Sequence, residues 1–111
     1  MAEIEKKVVA VSRQFDSDLI DIFIYGEDTF GFTASKIFIG DIYNLVWNLD
    51  SMYLYHPECR YIPTKGKIYR NIILGSYLII YRIRSTQIEV LRAVSSRISV
   101  SSIRKIRSIN L

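Results

Sequence analysis

The stretch from Lys65 to Ser95, KGKIYRNIILGSYLIIYRIRSTQIEVLRAVS, constrains the fold most, because it predicts three consecutive strands joined by two tight turns. The segments IYRNIIL and YLIIYRI are rich in β-branched and aromatic residues, which favour strands. Only Gly75-Ser76 separates them, and glycine at the first central position suits a two-residue type II′ hairpin turn. A second turn at Ser85-Thr86 introduces QIEVLRAV as the third strand. An antiparallel meander is therefore predicted.

The turn also predicts the register, because it pairs Leu74 with Tyr77 and so assigns each later side chain to one face of the sheet. One face is expected to pack on helices; it carries Ile68, Ile72, Leu74, Tyr77, Ile79, Tyr81, Ile83, Ile88, Val90 and Val94, with Arg70 and Arg92. The other face carries Lys67, Tyr69, Asn71, Arg82 and Arg84 toward one end, and Ile73, Leu78, Ile80, Leu91 and Ala93 toward the other. Arg82 is expected opposite Glu89. This second face has the character of a binding surface.

Charge is distributed unevenly along the chain. Residues 1–59 contain four Lys/Arg and ten Asp/Glu, a net charge of −6, whereas residues 60–111 contain eleven Lys/Arg and one Glu, a net charge of +10, which together give the overall +4. A concentrated positive field attracts polyanions and speeds their association, so the second half is expected to face nucleic acid or an acidic protein. The alternative is that the two halves only neutralise each other across the fold.

Length and composition predict a single globular domain over residues 1–111, since half of the residues are apolar and a chain of this length buries a core without disulfides. The single Cys59 excludes an internal disulfide, and with the single His56 it offers no metal-ligand cluster. No metal and no cofactor are expected. The chain lacks a signal-like segment and an apolar run of the roughly 18 residues that a membrane helix needs. A cytoplasmic protein without membrane contact is the expectation.

The residues before the meander predict a strand and two helices. Residues 7–12 alternate as a short strand that joins the sheet. Asp16 or Ser17 is the expected N-cap of a first helix that ends near Phe30. A second helix is predicted over residues 34–52.

The chain ends in a basic segment after the third strand. Ile103 and Ile106 are spaced for a short helix capped by Ser101 or Ser102, and the alternative is a strand followed by a frayed tail. The predicted fold class is α+β, with an N-terminal strand and a two-helix hairpin packed on one face of a three- to four-stranded antiparallel sheet. A basic C-terminal tail or short helix completes it.

The order of the predicted elements and several sequence motifs resemble those of the RelE/ParE superfamily of toxins from type II toxin-antitoxin systems. The resemblance covers nearly the whole chain and is carried by DLIDIFIYGEDTFGFTASKIF, HPECRYIP, IYRNIILGSYLIIYRI and IEVLRAVSSR. It implies a growth inhibitor that a cognate antitoxin holds inactive. RelE-like members cleave messenger RNA on the ribosome, whereas ParE-like members poison DNA gyrase.

Two departures from the RelE-like pattern favour the ParE-like branch. Leu78 stands where RelE has an arginine after the turn tyrosine, and Ser95-Ser96-Arg97 stands where many relatives have His-x-x-Arg. The ParE-like interpretation predicts a surface that contacts the protein target and an acidic amphipathic segment of the antitoxin. The predicted contact residues are Lys67, Ile73, Leu78, Ile80, Arg84, Leu91 and Arg104.

The alternative is a ribosome-dependent messenger RNA endoribonuclease that needs no metal. It would use Lys65, Tyr69, Arg82 and Arg97. Arg82 and Arg97 would stabilise the charge that develops on the scissile phosphate, and Tyr69 or a lysine would transfer the proton. A non-toxic relative that only binds its partner is the third interpretation.

Overall fold

The computed structural model describes residues 4–111 and contains a four-stranded sheet with helices on both of its faces. The strands are β1 (Val8–Val11), β2 (Tyr69–Leu74), β3 (Tyr77–Ile83) and β4 (Gln87–Ser95). The helices are α1 (Arg13–Phe30), α2 (Phe32–Trp47), α3 (Leu49–Met52) and α4 (Val100–Lys105), and a 3-10 turn follows over Ile106–Ser108. The α+β class and the order of elements agree with the prediction.

The sheet has the order β1-β4-β3-β2, and its three-strand meander is antiparallel, as predicted. Strand β1 lies at one edge and runs parallel to β4, so the sheet is mixed rather than wholly antiparallel. Three helices and strands β2 and β3 lie between β1 and β4 in the chain, and such a long connection does not force neighbouring strands to be antiparallel.

The predicted hairpin register is confirmed, because Leu74 pairs with Tyr77 and Arg82 pairs with Glu89. Gly75 has φ +59°, and the first central residue of a type II′ turn requires a positive φ. The turn therefore fixes the pairing of β2 with β3 without any irregularity.

A β-bulge interrupts the pairing of β3 with β4. Ile80 pairs with Arg92 and the next residue, Tyr81, pairs with Val90, so Leu91 is the extra residue on β4. An extra residue shifts the alternation of side chains beyond it. The predicted faces of Ala93 and Val94 are consequently wrong, since Ala93 packs in the core below the helices and Val94 packs on the opposite side.

Hydrophobic side chains cover both faces of the sheet. The first core lies between the sheet and helices α1 and α2, and its members include Phe15, Leu19, Ile42, Val46, Ile79, Tyr81, Ile88 and Val90. The second core lies between the other face and the C-terminal part of the chain, and it contains Cys59, Ile62, Tyr69, Ile80, Leu91, Val94, Ile103 and Ile106. The face predicted to be a binding surface is thus largely an interior.

Helix α1 begins earlier than predicted because Ser12 is its N-cap, so the assignment of the cap to Asp16 or Ser17 is wrong. The Ser12 hydroxyl oxygen accepts the backbone N–H of Phe15 at 2.9 Å, and the hydroxyl donates to the carbonyl of Leu91 at 2.6 Å. A capping side chain of this kind stabilises a helix by about 1 kcal/mol. It also attaches the start of the helix to the central strand β4.

The two long helices meet closely near Gly31, where φ is +94°. A Cβ atom on Gly26 would lie 2.6 Å from the hydroxyl oxygen of Ser35, so glycine permits the approach. The second helix ends at Trp47 and is followed by the one-turn helix α3, whereas one continuous helix over residues 34–52 was predicted.

The predicted C-terminal helix is confirmed as α4, but its N-cap is Ser99 rather than Ser101 or Ser102. The Ser99 hydroxyl oxygen accepts the backbone N–H of Ser102 at 3.2 Å. Ile103 and Ile106 are buried, as their spacing predicts. Over residues 4–111, none of the helices is long and apolar enough to cross a membrane.

Candidate interaction surface

The guanidinium of Arg82 lies at the centre of the polar network beneath the C-terminal segment, which we define as residues 100–108. Arg82 is 2% exposed, and its Nε donates to the Glu89 carboxylate at 2.8 Å. Its Nη1 donates to the Tyr69 hydroxyl at 3.3 Å and to the carbonyl of Arg107 at 3.2 Å, and its Nη2 donates to the carbonyl of Ile109 at 2.8 Å. All three nitrogens of the guanidinium therefore donate to groups of the chain itself.

The Glu89 carboxylate is the only partner of opposite charge for Arg82 within the described part of the chain. It also accepts from Arg84 Nε at 3.1 Å and from Gln87 Nε2 at 2.7 Å. Burial by itself raises the pKa of Glu89, but the hydrogen bonds from Arg82, Gln87 and Arg84 outweigh it, and the pKa lies below its ordinary value. Burial by itself lowers the pKa of Arg82, but the hydrogen bonds that Arg82 donates to Tyr69 and Glu89 outweigh it and raise the pKa, so the pair stays charged.

The C-terminal segment covers this network. Ile103 and Ile106 pack against Tyr69, Ile80 and Leu91 of the sheet. Tyr69 is 8% exposed, and Ile80 and Leu91 are fully buried. The prediction that these side chains and Arg82 lie on an exposed face is wrong, because the C-terminal segment packs on that face. The sequence allowed this segment to be either a short helix or a frayed tail.

The four residues predicted for RNA cleavage do not converge. Tyr69 pairs with Arg82 at one end of the β2–β3 ladder, and Arg97 follows Ser95, which pairs with Tyr77 at the other end. Arg82 lies five positions after Tyr77 in β3, which corresponds to about 17 Å along the strand. Lys65 is exposed in the loop before β2. A scissile phosphate could not contact the whole set in this arrangement.

A groove remains open on the same side of the sheet, beside the edge strand β2. Its lining includes Arg60, Tyr61, Asn71, Ile73, Leu78 and Ser96, and its volume is about 320 Å³. Ile73 is 65% exposed, Leu78 is half-buried, and Arg60 is exposed. We call this the Ile73 groove. It retains two of the predicted contact residues, Ile73 and Leu78.

The edge of β2 is only partly covered. Two backbone hydrogen bonds join the connector before β2 to this edge. The N–H of Cys59 donates to the carbonyl of Tyr69, and the N–H of Asn71 donates to the carbonyl of Pro57. Residues two apart in a strand point their backbone groups to the same side, so Ile73 directs its N–H and C=O to this edge as well. No described residue pairs with that end of the strand.

The other predicted contact residues are charged and exposed. Lys67, Arg84 and Arg104 all lie on the surface of the molecule. Lys67 adopts φ +53°, a left-handed conformation that is uncommon for a residue with a side chain. Arg84 shares the Glu89 carboxylate with Arg82, but half of its side chain is exposed.

Asp18 and Arg92 form a pair that sequence reasoning missed. The Asp18 carboxylate accepts from Arg92 Nε at 2.7 Å and Nη2 at 2.9 Å, and from the backbone N–H of Ala93 at 2.9 Å. The acid on α1 and the base on β4 are 74 residues apart in sequence. No local pattern reports such a contact.

The outer side of the α1–α2 hairpin is a second exposed surface. Large apolar side chains there are each more than half exposed; they are Ile20, Ile24, Phe30, Phe32 and Ile37. Grouped exposed apolar side chains commonly mark interaction sites. Within residues 4–111, no group of three His, Cys, Asp or Glu side chains is arranged to hold a metal ion.

Comparisons with known proteins identify a family from the sequence and a related fold from the structure. A family model described as the ParE toxin of the type II toxin-antitoxin system parDE matches residues 9–98. No curated protein sequence matches the chain. A solved structure from the chromosomal ParDE toxin-antitoxin system of P. aeruginosa superposes with a TM-score of 0.67, over 83% of this chain and 98% of that chain, at 17% identity. That identity supports the shared fold, and the family match ends just before α4.

Proposed function

Since this chain belongs to the ParE toxin family of type II toxin-antitoxin systems, we propose that it inhibits growth by binding a protein target such as DNA gyrase, in the cytoplasm. Messenger RNA cleavage is the less favoured alternative. The observation that carries this choice is the state of Arg82, whose guanidinium is 2% exposed and bonded to Glu89, Tyr69 and two carbonyls of the chain. A ribonuclease would need such a group free to stabilise phosphate charge.

The order in which syntheses stop after induction tests this proposal. When the chain is induced without its antitoxin, incorporation of labelled thymidine is expected to fall within the first minutes, while incorporation of labelled methionine continues. Co-expression of the antitoxin is the control and should restore both. If methionine incorporation falls first, the ribonuclease alternative replaces the proposal.

We further propose that the antitoxin contributes an acidic, extended segment that occupies the Ile73 groove. The unpaired backbone groups of Ile73 offer a place for one more strand, a common mode of peptide binding. Apolar side chains of that strand would contact Ile73 and Leu78, and its carboxylates would reach Arg60. Ile80 and Leu91, also predicted as contacts, are fully buried and are not included.

A charge placed in this groove is expected to weaken the antitoxin complex. Ile73→Asp removes an apolar contact and places a carboxylate opposite an acidic segment, so we expect the dissociation constant to rise at least tenfold, which corresponds to about 1.4 kcal/mol. Isothermal titration calorimetry with the purified antitoxin measures it.

Ile37→Asp is the matched control, because Ile37 is 61% exposed on α2 and Ile73 is 65% exposed. It should leave the affinity within about twofold, a difference of roughly 0.4 kcal/mol. If Ile37→Asp weakens binding and Ile73→Asp does not, the antitoxin occupies the apolar hairpin instead, and its proposed place in the groove is wrong.

A further inference from the structure

A set of unpaired cations lies on the outside of the C-terminal segment and of the connector next to it. We define the outer basic surface as Arg60, Lys65, Lys67, Arg104, Lys105 and Arg107, all of which are exposed. We propose that this surface binds the phosphate backbone of double-stranded DNA. The inference is independent of the toxin's protein target, and three of its residues lie beyond the part of the chain that the family model matches.

The packing of the second core places these cations on one side of the molecule. Ile103 and Ile106 point inward to the same cluster as Cys59 and Ile62, so the C-terminal segment and the connector lie beside each other. The hydrogen bond from Arg82 to the carbonyl of Arg107 brings the 3-10 turn to the end of the sheet where Tyr69 pairs with Arg82. Lys67 stands two residues before Tyr69, at this same end.

The fold does not neutralise these charges internally. Residues 4–111 contain three ion pairs, of which two share the Glu89 carboxylate and only Asp18–Arg92 joins the acidic half to the basic half. No carboxylate of the described residues lies within 4.0 Å of the charged nitrogens of the outer basic surface. Six exposed cations without a carboxylate partner exceed what solubility alone requires and create a field that attracts a polyanion.

The side chains beside these cations favour a duplex over a single strand. Proteins that bind single-stranded nucleic acid stack bases on exposed aromatic rings. Here the Arg60 guanidinium lies 4.9 Å from the Tyr61 ring centroid, and Tyr69 is 8% exposed with Arg82 over its ring. These rings are therefore occupied by cations of the chain. The remaining chemistry, exposed Lys and Arg, contacts phosphates without reading sequence.

Fluorescence anisotropy of a labelled 20-base-pair duplex, titrated with the full chain at several salt concentrations, tests the proposal. With about four phosphate contacts, the slope of log K against log salt should be about −3.6, and affinity should fall roughly 100-fold between 50 and 200 mM salt. Arg104→Glu with Lys105→Glu should weaken binding at least tenfold at 50 mM salt and reduce the slope by about 2. Both residues lie outside the Ile73 groove, so this result is distinguishable from a defect in antitoxin binding.

The control is Lys6→Glu with Lys36→Glu, which makes the same change in net charge at exposed positions of the N-terminal half. It should change the affinity by less than threefold. Equal weakening by both pairs, a slope near zero, tighter binding of a single-stranded RNA of equal length, or equal competition by polyglutamate would each overturn the proposal. If the glutamate pair at 104 and 105 does not fold by circular dichroism, Lys65→Gln with Arg107→Gln replaces it, with the same tenfold loss expected.

Discussion

Replacing Arg82 by methionine is expected to lower the free energy of unfolding by about 3–5 kcal/mol, the usual cost of removing one partner of a buried ion pair. The Glu89 carboxylate, which is 7% exposed in the folded chain, would lose the closer of its two arginine partners. The carbonyls of Arg107 and Ile109 would lose a donor at the same time. Urea unfolding followed by circular dichroism measures the change.

Arg84→Met is the matched control, because Arg84 donates to the same Glu89 oxygen at 3.1 Å with half of its side chain in solvent. We expect it to cost less than about 1 kcal/mol, as exposed ion pairs do. The double variant Arg82→Met with Glu89→Met should recover much of the loss, since no unpaired charge then stays buried. If Arg82→Met and Arg84→Met lower the free energy of unfolding by equal amounts, burial of Arg82 does not make its ion pair the stronger one.

The pH dependence of stability provides a second readout of the same pair. Because the pKa of Glu89 is lowered in the folded chain, its contribution is fully present above the ordinary glutamate pKa and is lost as the pH falls through the folded-state value. In Arg82→Met the strongest charged donor is absent, so this acid-side loss should be smaller than in the wild-type chain. If Arg82→Met loses more stability at acid pH than the wild-type chain does, Arg82 is not the group that lowers the pKa of Glu89.

Ile103→Ala is expected to cost about 2–5 kcal/mol, because the side chain is 1% exposed and its removal leaves a cavity in the second core. The loss should appear as local opening of the C-terminal segment before the sheet unfolds, since the two cores lie on opposite faces of the sheet. Amide hydrogen exchange would then accelerate in residues 100–108 while β4 stays protected.

Val100→Ala is its control on the same helix, where Val100 is 39% exposed. That substitution should cost less than about 1 kcal/mol, because surface changes rarely exceed such values. If exchange accelerates equally in β4 and in the C-terminal segment of Ile103→Ala, the two cores form a single cooperative unit and the expectation of local opening is wrong.

The sequence predicts a structural feature correctly where a single local rule, such as a turn preference or helical spacing, determines that feature. Gly75 determines a two-residue turn, from which the pairing of Leu74 with Tyr77 follows. The second short turn, at Ser85-Thr86, gives the pairing of Arg82 with Glu89. The short C-terminal helix likewise follows from the spacing of Ile103 and Ile106. These features depend on residues that are close in the chain or on a single ladder.

Features that join distant parts of the chain were not predictable in this way. The bulge at Leu91 has no glycine or proline to mark it, and its effect on Ala93 and Val94 follows only from the packed sheet. The docking of the C-terminal segment was also missed, because helical spacing predicts an apolar stripe but not the surface that the stripe covers. As a result, Arg82 and Tyr69 were assigned to an exposed face that is an interior.

The parallel pairing of β1 with β4 has a consequence for the order of events during synthesis. Val8 is synthesised before the helices and before strands β2 and β3, whereas its partner Gln87 is synthesised after them. The local contacts of the α1–α2 hairpin can form first, because nearby residues close loops at low entropic cost, whereas β1 must wait for β4. The sheet is therefore completed only after β4 has been synthesised, and the Ile73 groove and the outer basic surface take their final form after that step.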